Sequence, residues 1–341
     1  RARNYKTIHI GKWHLGGPPF SLPEQHGFEV NVAGQEHGAP GSYFYPYRGT
    51  WQIPTTEEEV IKVTLQDGVE GEYLTDRLTD EALKHLGSDP FFLYFPYYAV
   101  HTPLQPKPEK LARYESIPAG KRQGKPEYAA MVESVDDSVG QILKHLEENH
   151  LLESTLIVFT SDNGGFAKAT DHSPLRANKG SHYEGGIRVP MIIAGPGIQN
   201  GTESATPVIT HDLYPTILTR SGFPPPAEQI VDGIDLSPVL EGTANLPERS
   251  LFWHYPHYNR HPQSAPVSII RRGDWKLMEF LDQDRFELYN LSTDLGEEND
   301  LSAAKPEVAT SLQKELSAWR EAVDAEPMRP NPFFNPNATA K

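Results

Sequence analysis

The sequence predicts an α/β fold: a mostly parallel central sheet flanked by helices, then a smaller C-terminal α+β domain of a four-stranded antiparallel sheet and a helix. Three observations predict it. Short apolar runs (Phe91-Phe-Leu-Tyr-Phe95, Leu156-Ile-Val-Phe-Thr160, Val189-Pro-Met-Ile-Ile-Ala194) alternate with longer stretches of helical period. Polar clusters follow directly on the apolar runs, where open parallel sheets place their ligands. After about residue 245 the pattern changes to closely spaced strand-like segments and one last amphipathic stretch.

Taken in order, Lys6-Thr-Ile-His-Ile10 reads as a strand feeding a functional loop, Gly11-Lys-Trp-His14. Residues 72–86 place Leu74, Leu78, Ala82 and Leu86 four apart, with Gly87 as a stop, which is a helix. The run 91–95 reads as a strand buried on both faces, because such a strand has no need to alternate. Residues 127–149 put Tyr128, Met131, Val135, Val139, Ile142 and Leu146 on one stripe of a long amphipathic helix. Two further buried strands are expected at 156–160 and 189–194. A helix begins near Asp212, a candidate N-cap, and ends at Gly222. Segments 268–278 and 285–291 read as strands of a hairpin-like sheet, and 305–323 as a helix with Val308, Leu312, Leu316 and Trp319 on one stripe. The expected domains are 1–245 and 246–325, with 326–341, rich in Pro and Asn, as an extended or disordered tail.

A chain of 341 residues can bury the core of one large domain and a small one. Its net charge of -15 argues against nonspecific nucleic-acid binding, which needs clustered cations. The same charge repels a polyanionic substrate at long range, so an anionic ligand would need a local basic pocket. No apolar run is long enough for a transmembrane helix, so membrane insertion is not expected. The absence of cysteine excludes disulfides and thiolate metal sites within these residues. Arg1-Ala-Arg-Asn-Tyr5 is neither an initiator Met nor a signal peptide, and the chain is expected to begin inside a domain.

Four segments carry candidate chemistry. Ser161-Asp162-Asn163-Gly164-Gly165 offers hard oxygen ligands for Ca²⁺ or Mg²⁺ at a strand end, or else a simple Asx turn. In Gly11-Lys12-Trp13-His14-Leu15-Gly16, an extended backbone would turn Lys12 and His14 to one side, where both could meet one anion. The bland alternative is a surface lysine and a packed histidine. His101, in Ala99-Val-His-Thr-Pro103, could be a general acid or a structural histidine. In Asn178-Lys179-Gly180-Ser-His-Tyr-Glu184-Gly-Gly-Ile-Arg188-Val-Pro190, Lys179 beside a glycine can approach a small anion, and Glu184 and Arg188 are spaced to pair or brace the loop.

Together and in this order, GKWHLG, AVHTP, TSDNGG and NKGSHYEGGIRVP resemble the type I sulfatases of the alkaline-phosphatase-like superfamily. Asp235-Leu-Ser-Pro-Val-Leu-Glu-Gly242 and Gly273-Asp-Trp-Lys-Leu277 resemble later landmarks of that family. Leu251-Phe-Trp-His-Tyr-Pro-His-Tyr258, with Tyr43-Phe-Tyr-Pro46, is most similar to bacterial sulfatases of sulfated carbohydrates. The resemblance implies an alkaline-phosphatase-like fold and a sulfuric ester hydrolase. Asp162 and Asn163 would be metal ligands, for calcium or alternatively magnesium. Lys12 and Lys179 would hold sulfate oxygens, His14 would assist the nucleophile, and His101 would protonate the leaving alkoxide. It also implies a formylglycine made by a maturing enzyme from a C/S-x-P-x-R motif. That motif is absent here, so the nucleophile is expected upstream and this stretch alone is expected to be inactive. A periplasmic or secreted location follows from the family only. His172, Arg176, His254 and His257, in loops flanking these residues, are candidate substrate contacts, or else ordinary loop residues. Two rival readings stay open: a phosphoester or phosphonate hydrolase of the same superfamily, and a catalytically inactive binder of sulfated glycans.

Overall fold

In the computed structural model, which describes residues 4–52, 58–88, 90–261 and 263–332, the chain divides into two compact units, residues 1–153 and residues 154–338. The first runs β1 (Lys6–Ile10), β2 (Val30–Val32), β3 (Arg48–Gln52), β4 (Glu58–Lys62), α1 (Leu74–His85), β5 (Phe91–Tyr94), α2 (Pro108–Glu115) and α3 (Pro126–Glu148). The second runs β6 (Ile157–Thr160), α4 (Glu184–Ile187), β7 (Met191–Ala194), α5 (Leu213–Arg220), α6 (Ser237–Leu240), β8 (Ser250–Tyr255), β9 (Val267–Arg272), β10 (Trp275–Phe280), β11 (Arg285–Asn290) and α7 (Pro306–Ala322).

In the first unit β1 is the middle of a parallel sheet of order β2-β1-β5, with Ile8 level with Val30 and Leu93. Parallel neighbours need crossover connections, and α1 lies within the one from β1 to β5. Ile8, Ile10, Leu74, Leu78, Ala82, Tyr43, Tyr98 and Met131 form the buried core. Proline at the first turn starts α2 and α3, where its missing N–H costs no helical hydrogen bond. Of the stripe expected on α3, Met131 and Leu146 are buried, and small residues are buried beside them. Ala130, Ser134 and Ser138 are buried, whereas Val135, Val139 and Ile142 are half-buried. Ser138 Oγ bonds Thr79 Oγ1 at 2.5 Å and Tyr97 Oη at 2.7 Å, so small side chains let the helices approach and hydroxyls satisfy one another.

Two strand expectations need correction. β5 is not buried on both faces. It is the outer strand of its sheet, with Phe92 and Tyr94 39% and 43% exposed and Phe28 stacked on both. Nor are β6 and β7 parallel: they pair with each other, antiparallel, Val158 opposite Ile193. An antiparallel pair needs no crossover helix, so the long polar segment between them is free to fold as loops.

The C-terminal sheet is as expected, four antiparallel strands in the order β11-β10-β9-β8. Gly273 and Asp274 make the two-residue turn between β9 and β10, and Gly273 takes the positive φ of 57° that this tight turn requires. Ala309, Leu312 and Leu316 of α7 pack on Ile270, Leu277 and Leu288, and Trp319 stacks on Phe252 at 4.7 Å. By contact this sheet shares a unit with residues 154–245. Of the tail expected at 326–341, residues 326–332 carry no helix or strand and the rest lie outside the described residues. Among the described residues, no helix is long and apolar enough to cross a membrane.

Asp212 does not cap α5. It has helical φ and ψ, and its buried carboxylate instead accepts the backbone N–H of Ile209 and Ile234 and a bidentate pair from Arg249. This carboxylate joins its own turn at Ile209 to the Ile234 backbone and the Arg249 side chain.

Candidate active site

The first unit carries Lys12, His14 and His101 on loops after β1 and β5. Gly11 turns the chain out of β1 with φ 110°, and a Cβ there would lie 2.2 Å from the Pro96 carbonyl oxygen. That close approach lets Gly11 N–H donate to Val32 O at 2.9 Å and Lys12 N–H to Pro96 O at 2.8 Å. Lys12 is half-buried and His14 exposed, with buried Trp13 between them donating to Ser21 O at 2.7 Å. His14 has φ 57°, so the segment is not extended and the simple two-residue alternation does not set its side chain. Gly38 makes room for the ring instead: a Cβ there would fall 2.3 Å from His14 Nδ1.

Sequence reasoning passed over His9. It is fully buried, with Nδ1 3.2 Å from Asn31 Oδ1 and Nε2 3.2 Å from the Lys12 carbonyl, so it props the loop from beneath. Burial pushes its pKa down, against the hydrogen bonds from Lys12 and Asn31 that favour the cation. A single histidine between Ile8 and Ile10 was the available signal.

His101 is held by its backbone. Tyr43 Oη donates to the carbonyls of Tyr98 and His101 at 2.7 and 2.9 Å, and His101 N–H donates to Tyr98 O at 3.0 Å. The ring Nδ1 lies 2.9 Å from Thr102 O; a carbonyl only accepts, so Nδ1 carries the proton there.

In the second unit, the turn Asp162–Gly165 and the loop 178–186 are knitted backbone to backbone. Gly164 N–H donates to Gly186 O at 2.9 Å and Lys179 N–H to Gly165 O at 3.0 Å. A Cβ on Gly164 would lie 1.9 Å from Gly185 O, which explains the glycines on both segments. Lys179 is thus anchored two residues beyond Asn163 along the facing segment. Asp162 is exposed, and its carboxylate makes no hydrogen bond or ion pair among the described residues. Asp162 and Asn163 suit two oxygen positions of a hard divalent cation, which takes about six to eight. Among the described residues, no group of three His, Cys, Asp or Glu stands ready for a metal.

Of the four candidate substrate contacts, three are engaged in the fold. His172 Nε2 accepts Gly165 N–H at 2.8 Å, and burial lowers its pKa against the opposing charge of Asp171. Arg176 donates to Tyr289 Oη and Glu297 O and stacks 3.8 Å over the Tyr183 ring. His254 Nδ1 and Nε2 lie 2.7 Å from Ser268 Oγ and Glu326 O. His257 is exposed, edge-on to Tyr255. His261, which sequence reasoning missed, lies against Gly180, where a Cβ would stand 2.4 Å from the His261 Cβ and 2.5 Å from its ring Cγ. Burial lowers its pKa, and the charge of Lys179 lowers it further.

A parallel β2-β1-β5 sheet with functional loops at its strand ends, followed by a four-stranded antiparallel sheet and helix, defines an alkaline-phosphatase-like α/β protein. Residues 1–223 match the family model described as Sulfatase, and residues 177–322 the one described as N-sulphoglucosamine sulphohydrolase, C-terminal. The chain belongs to the sulfatase family. It is 36% identical over 277 residues to a sulfatase of Formosa agariphila, covering 72% of this chain and 50% of that protein. It is 30% identical over 275 residues to N-acetylgalactosamine-6-sulfatase of Homo sapiens, covering 74% and 49%. The solved structure of Ps i-CgsB in complex with k-i-k-neocarrahexaose is similar with TM-score 0.76 and 31% identity, over 93% of this chain and 72% of that one. The chain spans about half the length of the curated relatives it matches.

Proposed function

We propose that the protein removes sulfate from a sulfated carbohydrate as a sulfuric ester hydrolase. The observation that carries this reading is the tie between Lys179 N–H and Gly165 O, which holds a cation beside the turn bearing Asp162 and Asn163. A lysine whose backbone is held beside hard oxygen ligands suits a tetrahedral oxyanion shared with a divalent metal. Asp162 and Asn163 would hold that metal, calcium first and magnesium as the alternative, and when bound it would withdraw charge from the sulfate oxygens. Lys179 would offset charge on those oxygens; the family resemblance implies the same role for Lys12, and for His14 proton exchange with the nucleophile. His101, with Nδ1 fixed on Thr102 O, would donate from Nε2 to the leaving sugar oxygen.

No nucleophile is assigned to a residue of this sequence; a formylglycine made by a maturing enzyme is the form the family resemblance implies. A carbohydrate substrate is supported by the similarity to Ps i-CgsB, whose structure holds a neocarrahexaose. Export to the periplasm or medium belongs to the same proposal. The test is sulfate release from a sulfated sugar in the presence of calcium, by the parent protein and by Asp162→Ala and Lys179→Ala. Loss of release in both variants, with unchanged melting, supports the reading; turnover unaffected by either would overturn it.

A further inference from the structure

The second unit buries a charged group that the proposed chemistry leaves unused. Lys276, in the middle of β10, is fully buried. Its Nζ donates to His182 O at 2.9 Å and Glu184 Oε1 at 3.0 Å, and is ion-paired with Glu297 Oε1 at 2.8 Å. Glu297 is also fully buried; its other oxygen accepts the Glu184 N–H at 2.6 Å. Arg188 reaches Glu184 as well, at 3.6 Å, so the pairing expected from sequence exists but is secondary to Lys276.

Buried ion pairs contribute little net stability compared with apolar groups of the same shape, because desolvation offsets their attraction. What such a group supplies is direction. An ammonium that meets two acceptors and a carboxylate at fixed places allows one arrangement of the segments that carry them. Those segments are the end of the 178–186 loop and the turn after β11. From Glu184 the chain continues through α4 to Gly186, whose carbonyl accepts Gly164 N–H at 2.9 Å, and Gly185 N–H donates to Arg176 O at 2.8 Å. Every link lies within one unit, so the path from Lys276 to the Asp162–Asn163 turn is continuous in hydrogen bonds and covalent chain.

We propose that Lys276 is a positioning residue: clamped between Glu184 and Glu297, it sets the 178–186 loop and, through Gly186 and Gly164, the turn that presents Asp162 and Asn163. The consequence for hydrolysis rests on the sulfatase reading; the consequence for loop order does not.

The test is site-resolved amide hydrogen exchange on the whole protein, comparing the parent with Lys276→Met and with the charge-balanced pair Lys276→Met/Glu297→Leu. The single variant leaves two carboxylates buried together and risks misfolding, whereas the double variant removes opposite charges in equal number. In the double variant, exchange at Gly164, Lys179, Gly185 and Gly186 should quicken by about tenfold or more while Ile270, Leu277 and Leu288 in the sheet keep their protection. Calcium affinity, measured by calorimetry in parent and double variant, should fall by about 10–100-fold. Unchanged loop exchange, or a rise no larger than in the strands, would overturn the proposal. Faster loop exchange in a protein whose parent form binds no calcium would support the positioning role and count against the sulfatase reading alone.

Discussion

At the scale of the residue, function depends on backbone close approaches as much as on charged side chains. Gly164 leaves no space for a methyl group, since its Cβ would stand 1.9 Å from a carbonyl oxygen that cannot move without α4. Gly164→Ala should therefore shift the turn that carries Asp162 and Asn163. A displacement near 1 Å costs on the order of 10²-fold in rate, read as a fall in kcat/KM for a sulfated sugar. His101 makes a sharper case. A sugar alkoxide needs a proton as it leaves and a nitrophenolate does not, so His101→Gln should lose about 10²–10⁴-fold on a sugar sulfate and far less on an aryl sulfate. Equal losses on both substrates would remove the general-acid role. The residue types of both clusters were readable from sequence because Lys, His, Asp and Asn stand out beside glycines. His9 and His261 were not, since their meaning lies in which backbone atoms they touch.

At the scale of the element, stability rests on two kinds of contact. The face of α7 buries Leu316 completely against β9, β10 and β11. Leu316→Ala should cost about 2–5 kcal/mol, seen as a lower denaturant midpoint with unchanged slope. The link between α5 and β8 is electrostatic. Burial pushes the Asp212 carboxyl up, but Arg249 and the amides of Ile209 and Ile234 outweigh it and leave the carboxyl below its ordinary value. A depressed folded pKa contributes stability that is present above the unfolded value, about 3.9, and is lost as pH falls through the folded one. Arg249→Met leaves the carboxylate buried without its cation, at a cost of about 3–5 kcal/mol near neutral pH. Because that variant no longer holds its carboxyl low, its melting temperature should fall less than the parent's on acidification from pH 5 to pH 3; parallel curves would contradict this assignment.

At the scale of the whole molecule, long helices and the C-terminal hairpins were legible in sequence because a period of 3.6 or 2 declares a buried face. Strand pairing was not. A short apolar run looks the same in a parallel centre, at an outer edge such as β5, or in a separate antiparallel pair such as β6 and β7. The Lys276 cluster was hidden for a related reason: its partners His182 and Glu184 lie 94 and 92 residues away, a separation no local pattern can encode. With a net charge of -15, the proposed sulfated substrate would have to be captured by local lysines and not drawn in by the molecule as a whole. On the proposed reading, sulfate is the group removed. The most direct measurement is sulfate and phosphate release, in parallel and with calcium, from a panel of sulfated monosaccharides, an aryl sulfate and their phosphate analogues. It should use protein expressed from its whole reading frame in a host able to make formylglycine. Sulfate release from at least one sugar, exceeding phosphate release throughout, is the expected result. Phosphate release in excess, or glycan binding with no turnover by a correctly folded protein, would contradict it.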